Sequence, residues 1–211
     1  MVIHLPSDNI TTIDLIRHGQ PQGGSRYRGH RIDDPLSEKG WQQMRDATAG
    51  TPPWDIIISS PMLRCQAFAD ELGSLNNIAV QTVDGLKEVG FGHWEGKTRE
   101  EVKQAYPQEY EQFYQDPVHS RPKQAEPLDA FIERVTKSYN DQLQGHCGKH
   151  LLIVCHAGVM RAIISHILLA PAASLYHIQV QNAGITRIQH NQHGGQLLHH
   201  NVCLRDIQES L

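Results

Sequence analysis

Three segments of this sequence share one pattern: a short apolar run, then a polar junction, then a helix-forming stretch. The runs are TTIDLIR, WDIIISS and LLIVC. Apolar runs with little polar alternation are typical of strands buried on both faces, and strands that alternate with helices form a parallel sheet. The sequence therefore predicts a three-layer α/β fold, in which a largely parallel sheet has helices on both faces.

Local signals predict where some of these elements begin and end. After WDIIISS, Ser60 is expected to cap a helix that has Pro61 in its first turn and Gly73 at its end. Near the end of the chain, apolar and polar residues alternate, which predicts two or three closing strands. We expect a turn between two of them at Gly194-Gly195, with exposed histidines on the strands.

The length of the chain, 211 residues, indicates a single domain over 1–211. Within it, the stretch 96–145 is polar and helix-prone, and four prolines interrupt it. We interpret 96–145 as a helical insertion or lid that belongs to this domain.

Charge and hydropathy exclude several classes of function. The formal net charge is −4, which gives no support to nucleic-acid or membrane binding. No apolar run approaches the roughly 18 residues that a membrane span needs. The first ten residues lack the basic start and apolar core of a signal peptide, so we expect a cytoplasmic protein. The sequence leaves its oligomeric state open.

Cysteine and histidine side chains are common metal ligands. The four cysteines are scattered without a CxxC pair, so neither structural zinc nor a disulfide framework is indicated. The chain has 14 histidines, and the stretch from His177 to His200 is rich in them. Such a tract can bind metal, but strands with exposed histidines are the simpler interpretation. We therefore predict no metal site and no cofactor.

Cationic and imidazole side chains follow each of the three apolar runs. Arg17 and His18 follow the first, Arg64 lies in the helix after the second, and His156 follows the third, while Glu88 comes after a further apolar stretch, IAVQTV. Ligands of open α/β sheets bind beyond the carboxyl ends of the strands. Two arginines, two histidines and helix N-termini at that edge would suit a phosphate dianion.

A pocket of this composition can transfer a phosphoryl group without a metal, because arginines stabilise charge on the equatorial oxygens. No cysteine lies in a loop that could hold the phosphate. A neutral imidazole can attack phosphorus, which leaves His18 or His156 as the candidate nucleophile. Glu88 is the candidate acid for the leaving oxygen.

Four blocks of the chain resemble the signature segments of the histidine phosphatase superfamily, in its phosphoglycerate mutase-like branch. They are LIRHG, SSPMLRCQAFA, LKEVGFGHWEG and VCHAGVMRAII, and they occur in the order of that family. The resemblance implies that His18 becomes phosphohistidine and that Glu88 is the general acid and base. It also implies that the phosphate is bound by three side chains, Arg17, Arg64 and His156. The N–H of Ala157 adds a further donor.

Within this family, the segments RHGQPQGGSRYRGHRIDDPLSEKGW and SSPMLRCQAFA look most like alpha-ribazole phosphatases. The substrate implied is alpha-ribazole 5′-phosphate, a small phosphomonoester used in assembling the cobalamin nucleotide loop. Mutases of the family typically carry an acidic residue and a Trp-Asn pair after the first block. This chain has Gln20 and Gly23-Gly24 instead, which favours hydrolysis over transfer. Arg28, in a basic loop, is a candidate contact to the substrate beyond its phosphate.

Four alternatives stay open at this point. Two lie within the family, a phosphoglycerate mutase and a phosphatase of broad specificity. A metal-dependent hydrolase could use His18, His156 and a carboxylate, although two neighbouring arginines would repel a dication. A phosphate-binding module without activity is the fourth, but binding alone needs neither a nucleophile nor an acid.

Overall fold

The structure is a computed structural model that describes residues 10–209. The first nine residues, which belong to the segment where no signal peptide was predicted, lie outside the described residues. None of the helices in the described part is long and apolar enough to cross a membrane.

A six-stranded sheet with the order β3-β2-β4-β1-β5-β6 forms the centre of the fold. Its strands are β1 (Thr11–Arg17), β2 (Ile56–Ser59), β3 (Val80–Thr82), β4 (His150–Cys155), β5 (Ile185–Asn191) and β6 (Gly194–Val202). The first four are mutually parallel, whereas β5 pairs antiparallel with β1 and β6 pairs antiparallel with β5 at one side of the sheet. The predicted fold class, with a largely parallel sheet, is confirmed.

Helices cover both faces of the sheet, and each face has its own apolar core. One core contains side chains of α1 (Glu38–Ala47), α2 (Leu63–Asn76) and α7 (Leu204–Glu209). The other contains α5 (Leu128–Gly145) and α6 (Ala157–Ile167). Side chains of β4 point alternately into the two cores, because successive residues of a strand face opposite sides. This is why LLIVC is apolar throughout.

The start and end predicted for α2 are wrong. The helix begins at Leu63 after an N-cap residue, Met62, and it ends at Asn76. Asn77 adopts a left-handed conformation and its N–H donates to the carbonyl of Gly73, so Gly73 lies within the helix. The hydroxyl of Ser60 is 2.7 Å from Nε2 of His156. The Ser60 hydroxyl thus contacts a long-range partner and accepts a hydrogen bond from the N–H of Met62, but it does not cap the helix that begins at Leu63.

The stretch 96–145, predicted as one helical insertion or lid, divides into two structural parts. The helices α3 (Arg99–Ala105) and α4 (Pro107–Gln115) pack around a small aromatic cluster that includes Trp94 and Phe113. The third helix, α5, is instead a layer of the main core, with Phe131 completely buried. Its apolar face packs against the sheet and α6, so α5 is not part of a lid.

The closing strands β5 and β6 form a hairpin whose turn differs from the prediction. The turn residues are Gln192 and His193, and Gly194 already belongs to β6. His193 is exposed, but His190 is buried and lies 2.7 Å from the hydroxyl of Tyr139. Across residues 10–209 there is no group of three or more histidine, cysteine, aspartate or glutamate residues that could hold a metal ion.

Candidate active site

The carboxyl ends of β1, β2 and β4 bring the predicted site residues together. These strands are parallel neighbours, so the residues that follow them meet at one edge of the sheet. The N–H of His18 donates to the carbonyl of Cys155 at 3.0 Å, which ties the end of β1 to the end of β4. As a result, the His18 and His156 rings are 5.2 Å apart between centroids.

His18 is held as a neutral imidazole with one defined tautomer. Its Nδ1 is 2.8 Å from the carbonyl oxygen of Gly19, which can only accept a hydrogen bond, so Nδ1 carries the proton. Burial, together with the cations of Arg64 and Arg17, holds the pKa of His18 well below its ordinary value. Nε2 is therefore left with a free lone pair, which is the form of imidazole that acts as a nucleophile.

His156 lies against His18 rather than on the surface of the site. It is completely buried, and the hydroxyl of Ser60 and the sulfur of Cys65 both contact its ring. Burial and the cation of Arg64 hold its pKa well below the ordinary value, so this imidazole is neutral as well. The next residue, Ala157, begins α6, and its N–H is among the donors that the first turn of a helix leaves without an intrahelical acceptor.

Arg64 is buried and Arg17 is half-buried, and both are partly unsatisfied. Arg17 donates to the carbonyl of Val180, and Arg64 donates to the carbonyls of Gly29 and Ile32. The Nε atoms of both arginines are buried and have no hydrogen-bond partner among the described residues. Burial lowers the pKa of the Arg17 guanidinium. Buried cations with unused donors are a binding site for an anion, because a bound anion would satisfy those donors.

Glu88 reaches the site from the segment after β3 and is held by two backbone donors. The N–H of Val89 lies 3.0 Å from its Oε1, and the N–H of Gly158, in the first turn of α6, lies 3.2 Å from its Oε2. The segment itself is anchored by Arg134 of α5, which donates to the carbonyls of Gly85, Lys87 and Glu88. This role of Arg134 was not predicted from the sequence.

Arg28 lies in the loop 20–34 at the mouth of the site. Its guanidinium pairs with Asp34 at 2.9 Å and donates to the carbonyls of Gln22 and Gly24, so most of its donors bind its own loop. Gly23 and Gly24 have φ values of 75° and 73°, a left-handed conformation that residues with a side chain rarely adopt. Arg28 thus maintains the shape of this loop besides facing the cavity.

Most of the predicted site residues line a cavity of about 390 Å³, here called the cationic cavity, but His156 and Ala157 do not. Its wall includes His18 and Glu88 together with four arginines: Arg17, Arg26, Arg28 and Arg64. Asn182 also lines it and donates to the carbonyl of His18 at 3.1 Å. Asn182 was not predicted from the sequence, because nothing local to a polar turn residue indicates which part of the fold it will contact. Four cations and one carboxylate favour a small anion such as phosphate.

Comparison with known proteins places the chain among phosphatases. The family model of the histidine phosphatase superfamily (branch 1) matches residues 13–203. An adenosylcobalamin/alpha-ribazole phosphatase from Escherichia coli is 28% identical over 182 residues, which cover 84% of this chain and 89% of that protein. Phosphoserine phosphatase 1 from Hydrogenobacter thermophilus is 26% identical over 192 residues, which cover 89% and 90%. The crystal structure of the alpha-ribazole phosphatase from Shigella flexneri superimposes with a TM-score of 0.79 at 28% identity, covering 90% of this chain and 96% of that one.

Proposed function

The chain belongs to the histidine phosphatase superfamily, branch 1, and on that premise we propose that it hydrolyses a small phosphomonoester through a phosphohistidine at His18. The observation that carries this proposal is the state of His18. It is a neutral imidazole whose Nδ1 proton is committed to the carbonyl of Gly19, and it lines a cavity with four arginines. A nucleophile and the cations that would hold its target thus share one small volume.

In the first step the lone pair of His18 Nε2 attacks phosphorus, and the bond from phosphorus to the ester oxygen breaks. The leaving oxygen takes a proton from Glu88. Arg17 and Arg64 bind the phosphoryl oxygens, because their buried Nε–H groups have no other described acceptor. Such donors stabilise the charge that spreads over these oxygens in the transition state.

In the second step a water molecule attacks the phosphohistidine. Glu88, now a carboxylate, removes a proton from that water, and the bond between phosphorus and Nε2 breaks to release inorganic phosphate. The two backbone donors from Val89 and Gly158 hold the carboxylate in place between the steps. Glu88 therefore acts as an acid and then as a base from one position.

The remaining predicted residues have supporting roles in this proposal. His156 is buried behind His18 and does not line the cavity, so its part in the phosphate-binding set is to hold the His18 ring in place, and the Ala157 N–H adds a donor at the start of α6. Arg28 keeps the loop 20–34 in the shape that forms the outer wall of the cationic cavity, where it also faces the substrate beyond the phosphate.

For the substrate we propose alpha-ribazole 5′-phosphate, used in assembling the cobalamin nucleotide loop. Support comes from the similarity to a protein named adenosylcobalamin/alpha-ribazole phosphatase, at 28% identity. The left-handed Gly23-Gly24 pair supports hydrolysis rather than mutase transfer, since side chains that would close the site over an intermediate are absent at these two positions. The four cysteines are free thiols, which supports a cytoplasmic location, where thiols stay reduced.

Trapping the covalent intermediate tests the mechanism. Rapid quenching of Glu88→Gln with phosphate-labelled alpha-ribazole 5′-phosphate should leave an acid-labile, alkali-stable label on the protein. The label should disappear when His18→Ala is added and persist when the exposed His193→Ala is added instead. Label retained on the protein without His18 would refute the assignment.

The reaction type is tested by two rates measured at equal enzyme concentration. One is the release of inorganic phosphate from alpha-ribazole 5′-phosphate, and the other is the interconversion of 2- and 3-phosphoglycerate. Phosphate release should be faster, and it should survive exhaustive chelation of metals. Faster interconversion would indicate a mutase, and no release from any phosphomonoester would indicate a binding module.

A further inference from the structure

A second cavity, of about 500 Å³, adjoins the cationic cavity. Tyr27 and Phe91 line both cavities, and their ring centroids are 5.1 Å apart at the border where the cavities adjoin. The aromatic cavity, as we name it, is defined by five rings: Tyr27, Phe91, Phe113, Tyr114 and Tyr176. Two arginines and Asp116 also line it. The mechanism described above uses none of the rings.

The rings of the aromatic cavity are held in fixed positions. Phe113 meets Tyr114 and Tyr176 edge to face at 5.2 and 5.5 Å. The guanidinium of Arg121 lies 5.3 Å from the Phe91 ring and 5.5 Å from the Phe113 ring. It also donates to the hydroxyl of Tyr176 at 2.7 Å. A cavity whose walls are already ordered loses little entropy when it binds a ligand.

The same helix that positions Glu88 contributes to the aromatic cavity. Arg161 lies one turn after Gly158 in α6 and donates through Nε to the carbonyl of Ile178 at 2.8 Å. No described carboxylate forms an ion pair with it. Its guanidinium therefore remains available to a polar group that connects the two cavities, such as a sugar hydroxyl. Arg161 lines the aromatic cavity, which adjoins the reaction site at Tyr27 and Phe91.

We propose that the aromatic cavity binds a planar ring of the leaving group, joined through a sugar-sized spacer to the phosphate in the cationic cavity. This inference rests on the proposed function and assigns a substrate class to it, ring-bearing nucleoside 5′-monophosphates. Stacking on aromatic side chains is the interaction that such rings offer. A ring attached directly to the phosphate would reach only Tyr27 and Phe91, the rings that also line the cationic cavity. A short aliphatic leaving group would leave the five rings without a ligand.

Two substrates that differ only in the ring test the proposal: alpha-ribazole 5′-phosphate and ribose 5-phosphate. The unmodified protein should have a kcat/KM at least tenfold higher for the first. Ala173→Phe should abolish most of that preference, because Ala173 is an exposed residue that lines the aromatic cavity and a phenyl group there would occupy it. Ribose 5-phosphate should be hydrolysed within twofold of the normal rate. Ala130→Phe, on the exposed side of α5, is the matched control and should change neither rate.

A second pair of variants distinguishes the contribution of the Tyr114 ring from that of the Tyr114 hydroxyl group. Tyr114 is 43% exposed, so its replacement should be tolerated even if Ala173→Phe does not fold. Tyr114→Leu should lower the preference for the ring-bearing substrate at least threefold, whereas Tyr114→Phe should retain it.

The outcomes distinguish the two proposals. Equal kcat/KM for both substrates in the unmodified protein, or a loss of equal size for both in Ala173→Phe, would overturn the ring site while the phosphatase proposal stands. An unmodified protein that releases phosphate from other phosphomonoesters but from neither of these two would overturn the ring site, and one that releases phosphate from no phosphomonoester would overturn both proposals.

Discussion

Replacing Gly158 by alanine tests whether the position of the Glu88 carboxyl group sets the rate of hydrolysis. A Cβ atom at Gly158 would overlap Oε1 of Glu88 and lie 3.2 Å from its Cδ. Phe131, completely buried, would lie 3.3 Å away on another side, so the new methyl group has little room to move. The carboxyl group must therefore shift, which breaks the bond that it accepts from the N–H of Gly158.

The expected loss of kcat follows from the free energy of the hydrogen bond that is lost. Hydrogen bonds to charged groups contribute about 1.5–3 kcal/mol, and each 1.4 kcal/mol corresponds to about a tenfold change in rate. We expect Gly158→Ala to lower kcat by about 10- to 150-fold. The KM should change little, because the phosphate-binding arginines are not displaced.

Steady-state kinetics of a double-mutant cycle provide the assay. In a Glu88→Gln background, Gly158→Ala should lower kcat less than threefold, since no acid is left to position. Gly145→Ala is the matched control, because a Cβ atom at Gly145 meets nothing within 4 Å. A full loss in the Glu88→Gln background, or no loss in the unmodified one, would refute the role given to this contact.

Three further predictions concern the buried charges. The pKa of His18 is depressed in the folded protein, so below about pH 6.5 only the unfolded state takes up this proton and the free energy of unfolding falls as the pH falls. When unfolding in urea is measured from pH 7 to 5, His18→Ala should reduce this dependence of the free energy of unfolding on pH by up to about 1.4 kcal/mol per pH unit. An unchanged dependence would contradict the depressed pKa. Arg64→Ala should lower kcat/KM by about two to four orders of magnitude, and a loss below tenfold would remove Arg64 from the site. Asp14→Ala leaves the buried Arg187 without its ion-pair partner at 2.7 Å and should lower the free energy of unfolding by about 3–5 kcal/mol. Glu71→Ala, which removes an exposed ion pair, should lower it by less than about 1 kcal/mol. Losses of similar size would contradict the importance of burial.

Local signals in the sequence were sufficient to predict the strands whose carboxyl ends form the site. TTIDLIR was predicted as a strand, and β1 spans Thr11–Arg17. Strand formation, the alternation of side chains between two cores and the junction at the strand end depend on residues that are close in sequence. The same signals failed for Ser60, because the hydrogen bond of its hydroxyl to His156 joins residues 96 positions apart.

By itself, the sequence determined that a cation or an imidazole follows each of three buried strands, and hence that a phosphate-binding edge was to be expected. Only the tertiary structure decided where each of these groups lies in the site and which groups it contacts. It placed His156 behind His18, directed most donors of Arg28 to its own loop and brought Asn182 to the cavity from 164 positions away. It also paired Asp14, a carboxylate inside an apolar strand, with Arg187 of β5. These arrangements depend on the order of strands in the sheet, which neither hydrophobic periodicity nor residue spacing encodes.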